Sequence, residues 1–121
     1  MAHPTFAALM ESALTSGSIA AAAVELESEE SGRSIDDLRA AMDAELRVME
    51  EAVASGLAHT GRSRSGLTGG DAARVAGGPA LLGEAFRDAL ADALAVGETN
   101  ARMGRIVAAP TAGSSGVLPA V

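Results

Sequence analysis

The 121-residue chain has no cysteine, tryptophan or tyrosine, and each of its nine basic residues, from Arg33 to Arg105, is an arginine, so lysine is absent too. Without a thiol the chain by itself forms no disulfide, thiolate zinc site, thiolate-held iron–sulfur cluster or cysteine nucleophile. Without lysine it makes no Schiff base to pyridoxal phosphate or to a carbonyl substrate. Aromatics are 2% of the residues and the formal charge is −7, which leaves little for stacking bases or neutralising phosphates. Nucleic acid is not an expected partner. Long apolar runs are missing as well: Met1-Ala2-His3-Pro4 is not a basic leader, and Ala21–Val24 runs straight into Glu25, Glu27, Glu29 and Glu30. The expectation is a cytoplasmic chain with no membrane partner.

What is present is helical pattern and glycine. Residues 1–60 carry eleven acids and three arginines, whereas residues 61–121 carry five acids and six arginines, an asymmetry expected of solvated helix faces in the front half. A first helix is predicted after Thr5 as N-cap, through Phe6, Leu9 and Met10 to Gly17. A second is predicted from Ser18 to Gly32, where glycine suits the left-handed closing position. Ser34 before Ile35-Asp36-Asp37 is an N-cap with acids in the first turn, favoured by the helix dipole. Leu38, Met42, Leu46, Met49 and Val53 then recur at steps of four, four, three and four, one face of a helix that packs its methionines in a core and ends at Gly56. Residues 56–70 read as a loop. A further helix is predicted from Pro79, with Leu81, Leu82, Phe86, Leu90, Ala93 and Leu94 on its apolar side, stopping at Gly97 or continuing to Gly104. The fold class is therefore all-α, a helical layer with glycine-rich loops. Such an alanine-rich layer has few bulky side chains to bury, and the chain closes on apolar Leu118-Pro119-Ala120-Val121. Both features read as residues 1–121 of an incomplete domain.

Few segments carry chemistry. His3 lies in the tail and His59 beside a loop, so no Ser–His–Asp arrangement forms, and the acid pairs Glu29-Glu30, Asp36-Asp37 and Glu50-Glu51 read as solvated helix surface. No catalytic residue and no metal ligand is assigned. In Arg62–Asp71, arginines, hydroxyls and the backbone donors of Gly66, Gly69 and Gly70 occur together and can hold a carboxylate, while a mobile glycine turn accounts for the same residues. In Pro110–Gly116, small residues admit a ligand close to the main chain, and the amides of a following helix start can bind an anion. The segment lacks the lysine of a Walker A loop.

These two segments carry a resemblance. Ser65-Gly66-Leu67-Thr68-Gly69-Gly70-Asp71, and the run from Asn100-Ala101-Arg102-Met103-Gly104-Arg105 through Pro110-Thr111-Ala112-Gly113-Ser114-Ser115-Gly116 to Val121, closely resemble the alpha chain of bacterial iron–sulfur L-serine dehydratase. The likeness reaches back through Ser31-Gly32-Arg33-Ser34 and the helix after it, and it matches the front part of that chain. It implies an L-serine ammonia-lyase that yields pyruvate and ammonia with a [4Fe-4S] cluster in place of pyridoxal phosphate. It also implies that the cluster-binding cysteines lie beyond Val121, in a carboxy-terminal part of the alpha chain absent here along with a beta domain or subunit. The present residues alone would then be inactive. By the same likeness Ser65, Thr68, Gly69, Asn100, Thr111, Gly113, Ser114 and Ser115 are candidates for lining the pocket for L-serine; Asn100 also reads as a cap or surface amide, and Ser114 and Ser115 as a cap on the next helix. Related lyases act on cysteine and release sulfide. A reading from another class is a non-catalytic helical module whose apolar faces await a partner.

Overall fold

The computed structural model describes residues 5–121, and among them there is helix, turn and loop but no strand, as the all-α expectation requires. Two compact units succeed one another, one up to Asp43 and one from Ala44 to Val121.

In the first unit, helix termini are satisfied by the residues next to them. Helix α1 (Phe6–Ser16) starts where the Thr5 hydroxyl accepts from the Ala8 N–H at 3.2 Å, and α2 (Ile19–Ser31) where the Ser18 hydroxyl accepts from the Ala21 N–H at 3.0 Å. Gly17 and Gly32 close the two helices in the left-handed conformation, donating to the carbonyls of Ala13 and Ser28. The two helices pack together through alanine, with Ala13 and Ala22 buried, and the Ser16 hydroxyl donates to the Glu25 carboxylate. Alanine removes little apolar area from water, at roughly 25 cal/mol per Å², so caps matter in proportion here. Helix α3 (Ile35–Ala58) opens as expected: Ser34 accepts from the Asp37 N–H at 3.1 Å and donates to the Asp37 carboxylate at 2.7 Å.

The second unit departs from expectation at several points. Gly56 does not end α3, which runs on to Ala58. A Cβ on Gly56 would overlap the backbone carbonyl of Ala95, so glycine stands there to let two main chains meet, not to stop a helix. The expected stripe is only half buried: Leu38 and Met49 are covered, whereas Leu46 is exposed and Met42 is 63% exposed and packs in no core. The covered residues of α3 in the second unit are Val48, Met49, Ala52 and Gly56, so the stripe contributes Met49 alone and the rest of the covered face is Val48 and the small residues that admit the α5 backbone.

A short helix, α4 (Asp71–Ala76), follows the loop where none was anticipated. Helix α5 (Glu84–Ala101) starts at Glu84 and not at Pro79, since Ala80–Gly83 forms a turn closed by the Gly83 N–H on the Ala80 carbonyl at 3.0 Å. Leu81, Leu82, Phe86 and Leu90 are consequently exposed, Leu81 by 88%, and are not the packing face of the helix. That face is Ala91, Ala95, Val96, Glu98 and Thr99. Gly97 is passed without a break, and the helix closes through Met103 at φ 63° and the Gly104 N–H on the Thr99 carbonyl at 2.8 Å. Beyond it come the cis Ala109–Pro110 bond and two 3₁₀ turns, Ala112–Ser114 and Leu118–Ala120, the second of which packs against α5.

Candidate functional site

The end of α5 organises this unit. Ala91, Ala95, Glu98 and Arg102 fall at i, i+4, i+7 and i+11, so an acid and a base sit on the same face as the small residues that meet α3. On that face the Thr99 hydroxyl donates to the Ala52 carbonyl at 2.9 Å, beside the Gly56–Ala95 contact. Glu98 is the single buried charged residue among the described residues, 4% exposed. One of its oxygens accepts from the N–H groups of Asp71 at 2.7 Å and Ala72 at 3.1 Å, the other from Gly70 at 3.0 Å. The Arg102 guanidinium lies 3.9 Å from the same carboxylate and reaches the Ser55 carbonyl at 3.4 Å. An isolated carboxylate taken out of water costs several kcal/mol; three amide donors and a nearby arginine are what such burial demands.

The first glycine-rich segment is built around this anchor. Ser63 is buried, its N–H donates to the Thr68 carbonyl at 2.7 Å, and its hydroxyl lies 3.1 Å from that of Ser65 and accepts from the Thr68 N–H at 3.4 Å. Gly66 donates to the Ser63 carbonyl, and Arg62 folds back onto the Gly66 carbonyl at 2.8 Å. Gly69 has φ 140° and Gly70 φ 81°, and a Cβ on Gly69 would lie 2.6 Å from the Arg62 Cα, so two successive turns here accept only glycine. Ser65 and Thr68 are left exposed at the rim. Of the backbone donors expected here, the Gly70 N–H is taken from inside the chain by the Glu98 carboxylate.

The second segment is fastened from the same helix end. Asn100 donates through Nδ2 to the Ala112 carbonyl at 3.4 Å, and Gly116 lies against the backbone of Ala93. Within the segment, Ser114 donates to the Ala109 carbonyl at 3.1 Å and its hydroxyl lies 3.0 Å from that of Thr111. Ser115, buried, donates to the Ala112 carbonyl at 2.8 Å, while Thr111 and Gly113 remain exposed. Ser114 and Ser115 therefore stabilise their own turn and cap no following α-helix; a 3₁₀ turn is what comes next. Among the described residues no hydrogen bond joins the two segments directly. Glu98 holds one and Asn100 the other.

Glu98 was not among the residues expected from sequence, although its place on the alanine face of α5 marks it: an acid in register with Ala91 and Ala95 must find donors or leave the core. His59 is exposed just past α3, the acid pairs are exposed, and His3 lies outside the described residues. No group of three or more metal-ligating side chains exists among the described residues, and no single helix there is long and apolar enough to cross a membrane. Separately, α4, the Pro79 turn and the start of α5 enclose an open groove of about 680 Å³ lined by Val75, Pro79, Leu81, Leu82, Phe86 and Leu90.

The sequence model described as the serine dehydratase alpha chain matches residues 15–121, nearly the whole chain and both glycine-rich segments. The chain belongs to the serine dehydratase alpha-chain family. Among curated relatives of the family, the "Probable L-serine dehydratase, alpha chain" of Bacillus subtilis (strain 168) is 47% identical over 88 residues, which cover 69% of this chain and 29% of that protein. The "L-serine dehydratase, alpha chain" of Peptoniphilus asaccharolyticus is 36% identical over 90 residues, 71% of this chain and 31% of that protein. The aligned region thus spans under a third of either relative's length. No solved structure matches the chain.

Proposed function

We propose that this chain supplies the amino-acid-binding scaffold of an L-serine ammonia-lyase, which converts L-serine to pyruvate and ammonia. The observation that carries the reading is the end of α5, where Glu98 and Asn100, two residues apart, hold the two segments that carry the family's likeness. In this reading the exposed Ser65 and Thr68 hydroxyls and the Gly69 main chain face the amino acid from one segment, and Thr111, Gly113 and the Ser114–Ser115 turn from the other. These groups hydrogen-bond and orient the substrate.

The family likeness implies a [4Fe-4S] cluster, and the residues present do not fit one. The chain has no cysteine, and the described residues hold no cluster of alternative ligands. The cluster is then held by other polypeptide, and these 121 residues alone release no pyruvate. The test is anaerobic reconstitution of the complete enzyme, alpha and beta parts together, with iron and sulfide, followed by assay of pyruvate from L-serine and sulfide from L-cysteine. Pyruvate from serine in excess of sulfide from cysteine is expected. A cluster-loaded sample that releases no pyruvate defeats the proposal, and one that prefers cysteine replaces it with a desulfidase-type lyase.

The exposed groove of Leu81, Leu82, Phe86 and Leu90 favours a second reading, a non-catalytic helical module that binds a partner through this face. Sedimentation of the isolated chain tests it, since a compact, monodisperse monomer shows that the face needs no cover.

A further inference from the structure

The glycine turn before α4 is held by a residue that neither its own sequence nor the likeness of the motif points to. The amides of Gly70, Asp71 and Ala72 converge on Glu98, which reaches them from 28, 27 and 26 residues away. A local cap is barred: position 70 is left-handed at φ 81°, and a Cβ there would lie 3.1 Å from the Thr60 carbonyl, so no serine or aspartate fits without strain. The anchoring carboxylate comes from α5 instead, from the helix end whose Asn100 fastens the Thr111–Ser115 turn. The height of one segment is thereby set relative to the helix end that carries the other.

We infer that Glu98 is a positioning residue: by holding the amides of Gly70, Asp71 and Ala72 it sets the glycine turn, and with it the Ser65 and Thr68 hydroxyls, where an amino acid substrate meets them. The inference rests on the serine-binding role proposed above. A carboxylate suits the place because both oxygens are used, one for Asp71 and Ala72 and one for Gly70. A glutamine of the same shape keeps one oxygen and turns an NH₂ group towards a donor, so it satisfies Asp71 and Ala72 and faces the Gly70 N–H donor to donor. An aspartate keeps the charge and withdraws it by one methylene. Since Glu98 is buried and both its oxygens are taken by the turn, its loss acts through the turn and weakens binding of the ground state and transition state alike, which raises KM and spares kcat.

The experiment uses the complete enzyme containing this chain, as wild type, Glu98→Gln and Glu98→Asp. L-Serine kinetics and hydrogen exchange by mass spectrometry over residues 66–76 are measured on the same samples. Glu98→Gln is expected to exchange faster across residues 69–72 and to raise KM for L-serine about tenfold, with kcat within about twofold of wild type. Glu98→Asp is expected to show a smaller rise in KM. A merely structural role lowers the active fraction, hence kcat, and leaves KM in place; that result, or an unchanged KM in both variants, overturns the inference. If far-UV circular dichroism shows Glu98→Gln to be unfolded, Glu98→Asp carries the same test. If the wild type turns over no serine, the functional reading itself has failed and the assignment to serine falls with it. Exchange then separates the two failures: faster exchange in the variants still supports Glu98 as the residue that sets the turn, and unchanged exchange removes that role as well.

Discussion

The helix pair α1–α2 and the pair α4–α5 face the same requirement, partners for the first N–H groups of a helix, and meet it from opposite distances. In the first pair the partner stands three residues from the amide it receives: Thr5 for Ala8, Ser18 for Ala21. In the second, α4 begins at a glycine with no side chain to offer, and its amides are received by Glu98 from the far end of α5. The difference extends to packing. The first pair covers single alanines, whereas the second unit sets the backbones of Gly56 and Ala95 against each other and adds the Thr99 hydroxyl on Ala52. Local capping yields elements that hold themselves in shape one at a time. Long-range anchoring makes loop, helix end and helix contact a single object, which is what a binding site assembled from separated segments needs.

The sharpest way to break this contrast is Gly56→Ala. Its new Cβ has no room beside the Ala95 carbonyl, so the two helices must separate, and a loss of about 3 kcal/mol in urea unfolding is expected. A loss under about 1 kcal/mol would mean that the close contact does not hold the second unit together. Thr99→Val keeps the shape and removes the hydroxyl that donates to Ala52. It is expected to lower stability by about 1 to 2 kcal/mol and to speed amide exchange at the end of α5 while leaving α1 and α2 as they were. Ser18→Ala is the mirror experiment. It should remove about 1 kcal/mol and speed exchange in the first turn of α2, with residues 66–76 unaffected. Spread of its effect into the second unit would contradict the division into local and long-range support.

The smallest effect is electrostatic. Burial, and next the neighbouring Asp88 carboxylate, hold the Asp92 pKa above its ordinary 3.8. The folded chain therefore binds this proton more readily than the unfolded chain does, and ionisation costs stability as the pH rises above 3.8. That cost is fully present at neutral pH and absent below 3.8, where both states are protonated. Asp92→Asn should melt slightly above wild type at pH 7, with the advantage vanishing as the pH is lowered past that value. An advantage that persists in acid would show that the substitution acts through packing.

Much of the fold was legible because its cues are local. Thr5, Ser18 and Ser34 are caps in sequence and in structure, and Gly17 and Gly32 close the helices before them. Legibility failed where a residue serves a distant neighbour. Gly56 reads as a stop and is a contact point, and Gly97 offers the same stop signal inside an unbroken helix. The Leu81–Leu82 pair reads as the buried side of a helix and lies in an exposed turn, because Gly83 and not Pro79 precedes the first helical residue. Of the expected site residues, Asn100 and Ser115 share the Ala112 carbonyl, Thr111 and Ser114 pair with each other in the same turn, and Ser65 and Thr68 gather around Ser63. Glu98, which holds the Gly70, Asp71 and Ala72 amides next to the Ser63 group, is marked only by its register with Ala91 and Ala95, since an acid on a helix is ordinarily solvated.

By itself the sequence determined the helical class, the caps, the exclusion of thiol and lysine chemistry and the two glycine-rich segments. Each of these follows from residue types and their spacing within a turn or two. The tertiary structure alone decided which glycines break a helix and which admit a neighbour, which apolar stripe is covered, and which carboxylate fills the amides before α4. Those outcomes depend on contacts between residues as far apart as Gly56 and Ala95 or Gly70 and Glu98, and backbone periodicity carries no record of distance through space.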